Sequence, residues 1–260
     1  MWYEVEAACG CHIGKVRGNN EDNFFFDGKN LPVENNGLSD ILYAAATTRQ
    51  NLAFAVFDGM GGENFGEMAS FAASEQMKQT KRRFAEYLLL PRMRMHNLVM
   101  ELNDAVVQSM KICQTEHMGT TMVSLHVWGR KAYACNLGDS RAYLLRKGTL
   151  RQLSKDHVSN RPGRKSKKPP LTQHLGLDPD EMLIEPHIVG VELKPNDVFL
   201  LCSDGLTDML TDEEIREQLN KTDKMDACAD YLLQAALENG GRDNITVIAC
   251  RIKDSASERN

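Results

Sequence analysis

TTMVSLHVWGRKAYACNLGDSRAYLLRKGTLRQL, residues 120–153, is the stretch that sets the fold class. Its apolar runs at 120–128, 131–137, 141–145 and 150–153 are rich in the branched and aromatic residues that suit strands. Gly129-Arg130 and Lys147-Gly148 are two-residue turns, whereas parallel neighbours need a crossover of about a dozen residues, so the stretch reads as an antiparallel meander. Strand signals lie on both sides of it. Residues 3–8 alternate, 23–26 follow Asn20-Glu21-Asp22, and 52–57 form an apolar run ended by Asp58-Gly59. Between the last two, the polar segment 27–50 reads as a long hairpin connection. Downstream, 188–193, 197–202 and 245–251 complete the strands.

Helical periodicity occupies much of the rest. From 63 to about 90, Phe65, Met68, Ala69, Ala72, Met77 and Phe84 recur at helical spacing, and Pro91 opens a second helix to about Ile112 with Leu98, Leu102, Val106 and Met110 in register. Thr211 with Glu214 three residues on predicts a capping box, and a last helix over 223–238 is stopped by Gly240-Gly241. Helices thus come in pairs between runs of hairpin-linked strands, which fits the segregated layers of an α+β fold better than alternating βαβ units.

The 260 residues, 42% of them hydrophobic, suffice for one domain, read here as 1–254 with SASERN (255–260) as a frayed tail. A net charge of −5 offers no general attraction for nucleic acid or an anionic membrane. The acidic MWYEVEAACGCH start lacks the basic region of a secretion signal, and no apolar run reaches the roughly 20 residues that span a bilayer. Seven cysteines, an odd number scattered through apolar runs, suit reduced buried thiols. Together these predict a cytoplasmic monomer with no nucleic-acid or membrane partner.

Four acidic motifs stand beside strand-like runs: FAVFDGMGG (54–62), NLGDSRAYLL (136–145), FLLCSDGLTD (199–208) and GRDNITVIAC (241–250). A lone Asp-Gly is usually a hairpin turn. Four of these acids brought together would repel unless hard cations lay between them, and an all-oxygen set selects Mg²⁺ or Mn²⁺ over Zn²⁺. Asp58, Asp139, Asp204 and Asp243 are therefore candidate metal ligands, with Asp58 as the bridge between two ions.

VRGNNEDNF, FAVFDGMGG, MGTTMV, NLGDSRAYLL, LSKDH, LTQHLG, LLCSDGLTD and GRDNITV, in that order, resemble the signature motifs of the metal-dependent PP2C (PPM) protein serine/threonine phosphatases. The likeness runs from about Gly14 to Ile252, and DGMGG is similar to the bacterial branch. It implies a four-layer α/β/β/α sandwich of two packed antiparallel sheets. It also implies hydrolysis of phosphoserine and phosphothreonine by in-line attack of a hydroxide bridging two Mn²⁺ or Mg²⁺ ions. By the same resemblance Asp58 bridges the ions, the Gly59 carbonyl binds one, and Asp204 and Asp243 complete the other. Glu21 and Asp22 hold bound waters, Asp139 serves a weaker third ion, and Arg17 binds the phosphate. The implied partners are phosphorylated proteins and an opposing Ser/Thr kinase.

Two departures and two rival readings remain. Many relatives place His where Met60 stands, and Met60 cannot donate a proton. The segment between LSKDH and LTQHLG is shortened to 158–170, with Arg161, Arg164, Lys165, Lys167 and Lys168 forming a basic loop, read as solvated and able to attract acidic substrates. One rival is a catalytically silent binding module on the same fold. The other is a thiol phosphatase, resting on the Cys-x5-Arg strings at 11–17 and 135–141; Cys9, Cys11 and His12 have the wrong spacing for a zinc knuckle.

Overall fold

The computed structural model describes residues 2–61, 65–81, 91–115, 117–159 and 168–254. Strands β1 (Tyr3–His12), β2 (Asp22–Phe26), β3 (Leu42–Thr47) and β4 (Leu52–Gly61) lead into helices α1 (Gly66–Lys81) and α2 (Pro91–Cys113). Then come β5 (Met118–Thr120), β6 (Met122–Trp128), β7 (Lys131–Leu137), β8 (Arg141–Arg146), β9 (Thr149–Gln152), β10 (His187–Glu192) and β11 (Val198–Cys202). The chain closes with α3 (Asp204–Thr207), α4 (Asp212–Asn220), α5 (Met225–Glu238) and β12 (Ile245–Asp254).

One sheet has the order β3-β1-β12-β11-β8-β9 and the other β10-β7-β6-β4-β2, with β5 attached to β4. All pairings within them are antiparallel. Strand faces explain the stacking. On β4, Phe54 and Val56 enter the core between the sheets, while Ala53, Ala55 and Phe57 pack under α1 and α2. On β12, Ile248 and Ile252 point inward and Val247 and Ala249 pack under α5. Both faces of these strands are buried, which is why their sequences read as nearly continuous apolar runs. The result is the α/β/β/α sandwich implied by the resemblance. Deleting an inter-sheet ring such as Phe24 or Phe199 would cost about 3–5 kcal/mol.

Several sequence expectations need correcting. Residues 120–153 are not one meander: β6 and β7 lie in one sheet, β8 and β9 in the other. The corner at Gly138, with φ +104°, carries the chain between them, a change of layer that two-residue turn rules do not register. The polar 27–50 connection contains an edge strand, β3, whose first residues alternate between half-buried and exposed and which pairs with β1. Helix α1 begins at Gly66, and the expected stretch 82–90 lies outside the described residues, as do 63–64 and the 255–260 tail. The capping box is as expected, with Thr211 Oγ1 accepting from the Glu214 N–H and Glu214 Oε2 from the Thr211 N–H at 2.8 Å.

Candidate active site

Crossings between the sheets create the site. The loop 13–21 joins β1 of one sheet to β2 of the other, and the 138–140 corner joins β7 to β8. Arg17 and Glu21 lie on the first and Asp139 on the second. Asp204 opens α3 directly after β11, and Asp243 sits just before β12. Asp58 was expected to end its strand at a turn; instead β4 continues past it, and Gly59–Gly61 pair with β5. In register across the ladder, Asp58 faces Asp22 at the start of β2.

The strand wall is held by residues to which the sequence reading gave no role. The Asp58 carbonyl accepts from Thr120 Oγ1 and from the Thr121 N–H, each at 2.9 Å, while Thr121 Oγ1 accepts from the Asp58 N–H at 3.1 Å. Thr121 Oγ1 also shares a 2.6 Å bond with Ser140 Oγ, tying Asp58 to the corner that carries Asp139. Asp22 is 1% exposed, and its Oδ2 accepts from Ser203 and Thr246, both at 2.7 Å. Gly59 is required by packing: a Cβ there would lie 2.1 Å from the Gly66 carbonyl oxygen and 2.6 Å from that of Glu21.

Asn244 clips the other wall together. Its amide donates to the carbonyls of Ile13 (2.8 Å) and Asn19 (2.9 Å), and its Oδ1 accepts from the Glu21 N–H (2.8 Å). The Lys15 N–H adds a 2.7 Å bond to the Gly241 carbonyl. Arg17 is thereby held beside Asp243, and its Nη2 donates to Asp243 Oδ2 at 2.7 Å. Across the cleft, Lys168 Nζ donates to Asp204 Oδ2 and lies 2.5 Å from Asp208 Oδ2. Lys168, expected as part of a solvated loop, instead reaches the acids. Arg161, Arg164, Lys165 and Lys167 fall outside the described residues.

The electrostatics report convergence. Burial, then the charges of Asp204, Asp22, Asp139 and Asp243, push the Asp58 carboxyl well above the ordinary carboxylate range. Burial also raises Asp22 to about 7 against the opposing help of Thr246 and Ser203, and Asp139 to about 6 with Asp204 adding to the effect. Glu21 is raised by burial and by Glu67, which Arg17 partly offsets. Asp204 is raised by burial, with Lys168 pulling the other way. So much negative charge in one place needs cations.

The donors gathered here, carboxylates and the Gly59 carbonyl, suit a hard ion such as Mg²⁺ or Mn²⁺. Among the described residues no three acidic, His or Cys side chains close on one ion position. Two of the candidate ligands are instead paired with side-chain cations, Asp243 with Arg17 and Asp204 with Lys168.

Neither Cys-x5-Arg string makes a thiolate site. Burial pushes the Cys11 and Cys135 thiols up to about 12, and Arg141 is spent on Asp156, with Nη2 to Oδ2 at 2.7 Å. All seven cysteines are free, six of them buried. Met60, two residues beyond Asp58, lines an open groove of about 1020 Å³ together with Met110, His117, Met118, His174 and Leu177.

Comparison with known proteins adds the following. The family described as Protein phosphatase 2C matches residues 33–163 and 163–245. The serine/threonine phosphatase stp of Listeria monocytogenes serotype 4b (strain F2365) is 31% identical over 252 residues, 90% of this chain and 91% of its own. Serine/threonine protein phosphatase PstP of Mycobacterium tuberculosis (strain H37Rv) is 30% identical over 258 residues, 93% of this chain and 44% of its own. Among solved structures, PppA, described as a key regulatory component of T6SS in Pseudomonas aeruginosa, superposes with a TM-score of 0.75 at 28% identity, covering 95% of this chain and 97% of its own. The catalytic domain of PstP in complex with 2 manganese ions gives 0.77 at 27% identity, covering 98% and 100%. Among the described residues, no helix is long and apolar enough to cross a membrane.

Proposed function

The chain belongs to the protein phosphatase 2C family and is a metal-dependent serine/threonine protein phosphatase, and we propose that its reaction runs at the acidic end of the sandwich, with Asp58, Asp204, Asp243 and the Gly59 carbonyl as ion ligands. The observation that carries this reading is the convergence of five carboxylates, Asp58 with Asp22, Asp139, Asp204 and Asp243, of which Asp243 is paired with Arg17 and Asp204 with Lys168. Bound there, divalent cations supply Lewis acidity toward a phosphoryl oxygen and toward water.

The chain's own residues supply position. The Asp58 main chain is fixed in a ladder by Thr120 and Thr121, which sets where its carboxylate starts from. Asp22 has one oxygen committed to Ser203 and Thr246, and Glu21 is anchored through its backbone; both orient what the ligands bind. Arg17 is half-exposed at the rim, and its fork suits the two oxygens of a phosphomonoester dianion once Asp243 turns to a cation. Asp139, beside Asp204 and Lys168, is the candidate for a further, weaker ion. The open groove lined by Met60, two residues from Asp58 along β4, suits the residues flanking the phosphorylated side chain.

The substrates are phosphoproteins, and we assign to them the targets of an opposing Ser/Thr kinase. Two ions, Mn²⁺ or Mg²⁺, a single domain over 1–254, a monomer and a cytoplasmic setting complete the proposal. Nothing in the structure favours the silent binding module or the thiol phosphatase.

The test is hydrolysis of a phosphothreonine peptide by chelator-dialysed protein. Activity should vanish, return with Mn²⁺ or Mg²⁺, and ignore a thiol alkylator. Turnover that persists in chelator and disappears on alkylation would reject the assignment.

A further inference from the structure

We propose that the Lys168 ammonium is a built-in counter-cation, seated on Asp204 and Asp208 beside Asp139, which competes with a divalent ion for that side of the cleft. The inference rests on the reading of Asp204 as an ion ligand, and goes beyond it in giving the shortened basic loop a specific role.

Three observations carry it. Lys168 bridges two acids at once, donating to Asp204 Oδ2 and standing 2.5 Å from Asp208 Oδ2. One Asp204 oxygen is thereby occupied, and an ammonium and a metal ion cannot share the same lone pair. The stem is also held in place. Lys168 is followed by Pro169 and Pro170, whose rings fix φ, and the Ser159 N–H donates to the Pro170 carbonyl at 2.9 Å. One residue further, Val158 and Leu171 form a bridge. The ammonium is therefore presented from a short, stiff, anchored stem and not from the far end of a free loop. Finally, the charge of Lys168 reaches Asp139, which stands on the 138–140 corner tied to Asp58 through Thr121 and Ser140. The acids on this side, Asp139, Asp204 and Asp208, thus already have a partner of the sign an ion would bring.

An isolated exposed ion pair carries little energy, because water screens it. This pair differs because Asp204 is only 16% exposed at its side chain and has further acids around it. Lys168 relieves that repulsion where it sits, on the Asp204 side. Occupancy of the Asp139 side by a divalent ion then depends on displacing a tethered lysine.

Manganese binding to chelator-treated full-length protein, followed by calorimetry and by the electron paramagnetic resonance signal of free Mn²⁺, tests this in wild type, K168M, K168R, K168M/D139N and D204N. Lys168 is half-exposed, so these loop variants should fold. The proposal expects K168M to show a weak additional binding event at a manganese concentration about twofold to fivefold lower than the wild type needs, the leverage of one partly screened pair. K168R should follow the wild type, and D139N should remove the gain. Superimposable isotherms for wild type and K168M would overturn the proposal, the more so if K168M raised KM for a phosphopeptide, which would make Lys168 a substrate contact. Unchanged manganese binding by D204N would instead remove the ligand assignment beneath it.

Discussion

Asp22 and Asp58 face each other across paired strands, gripped by the hydroxyls of Ser203, Thr246, Thr120 and Thr121, whereas Asp204 and Asp243 stand on a helix start and a turn and lean on Lys168 and Arg17. Burial, with the neighbouring acids adding to it, pushes both carboxyls of the first wall upward in pKa. On the second, burial raises Asp204 too, but Lys168 pulls the other way, and Asp243 is paired with Arg17. A cation-dependent cleft needs both kinds of wall. The strand wall sets geometry, and the turn wall holds charges that can be exchanged for an ion.

The sharpest way to break this comparison is to remove a carboxylate from each wall. Asp58→Asn and Asp204→Asn should each lower kcat on a phosphopeptide by on the order of 10³-fold or more, measured with saturating Mn²⁺. Their stabilities should part, however. Asp58→Asn removes a crowded charge and should leave the metal-free protein at least as stable, while Asp204→Asn also strips Lys168 of a partner.

The pH dependence of the metal-free protein comes next. Asp22 and Asp139 have folded pKa values of about 7 and about 6 against an ordinary 3.8. The folded state therefore keeps these protons where the unfolded chain has lost them, so stability falls as pH rises from about 4 to about 7 and stays low above it. Denaturant melts should show a loss of a few kcal/mol across that window, diminished by Mn²⁺. Stability that rises steadily over the same range without metal would contradict the crowding.

Thr121→Val is a smaller perturbation, confined to the strand wall. It orphans the Asp58 N–H and the Ser140 hydroxyl, so about 1–3 kcal/mol of stability and about 10–100-fold of activity should go. Cys135→Ser should leave turnover unaltered, because its thiol lies in the core and attacks nothing.

Much of this was legible in the chain. Apolar runs punctuated by turn residues gave most strands, Thr211-x-x-Glu214 gave a helix start, and the Asp motifs pointed to one acidic centre. What escaped were contacts made across long sequence separations. Glu21 meets Asn244 and Asp22 meets Thr246, pairs brought together only when β2 of one sheet packs against β12 of the other. Asn244 looks like an ordinary Asx turn until its two carbonyl partners at Ile13 and Asn19 are seen. The layer change at Gly138 left no local mark, since a short glycine corner serves a hairpin as readily as a crossing between sheets. Lys168 looked like one charge in a solvated run, and only its place against Asp204 and Asp208 sets it apart.

The most direct test of the account is anomalous diffraction at the manganese edge from crystals soaked in Mn²⁺. The account predicts peaks among Asp58, the Gly59 carbonyl, Asp204 and Asp243, with the Asp58 carboxylate between two of them and Arg17 released from Asp243. Manganese bound elsewhere, or an Asp58 carboxylate with no metal beside it at saturating Mn²⁺, would contradict it.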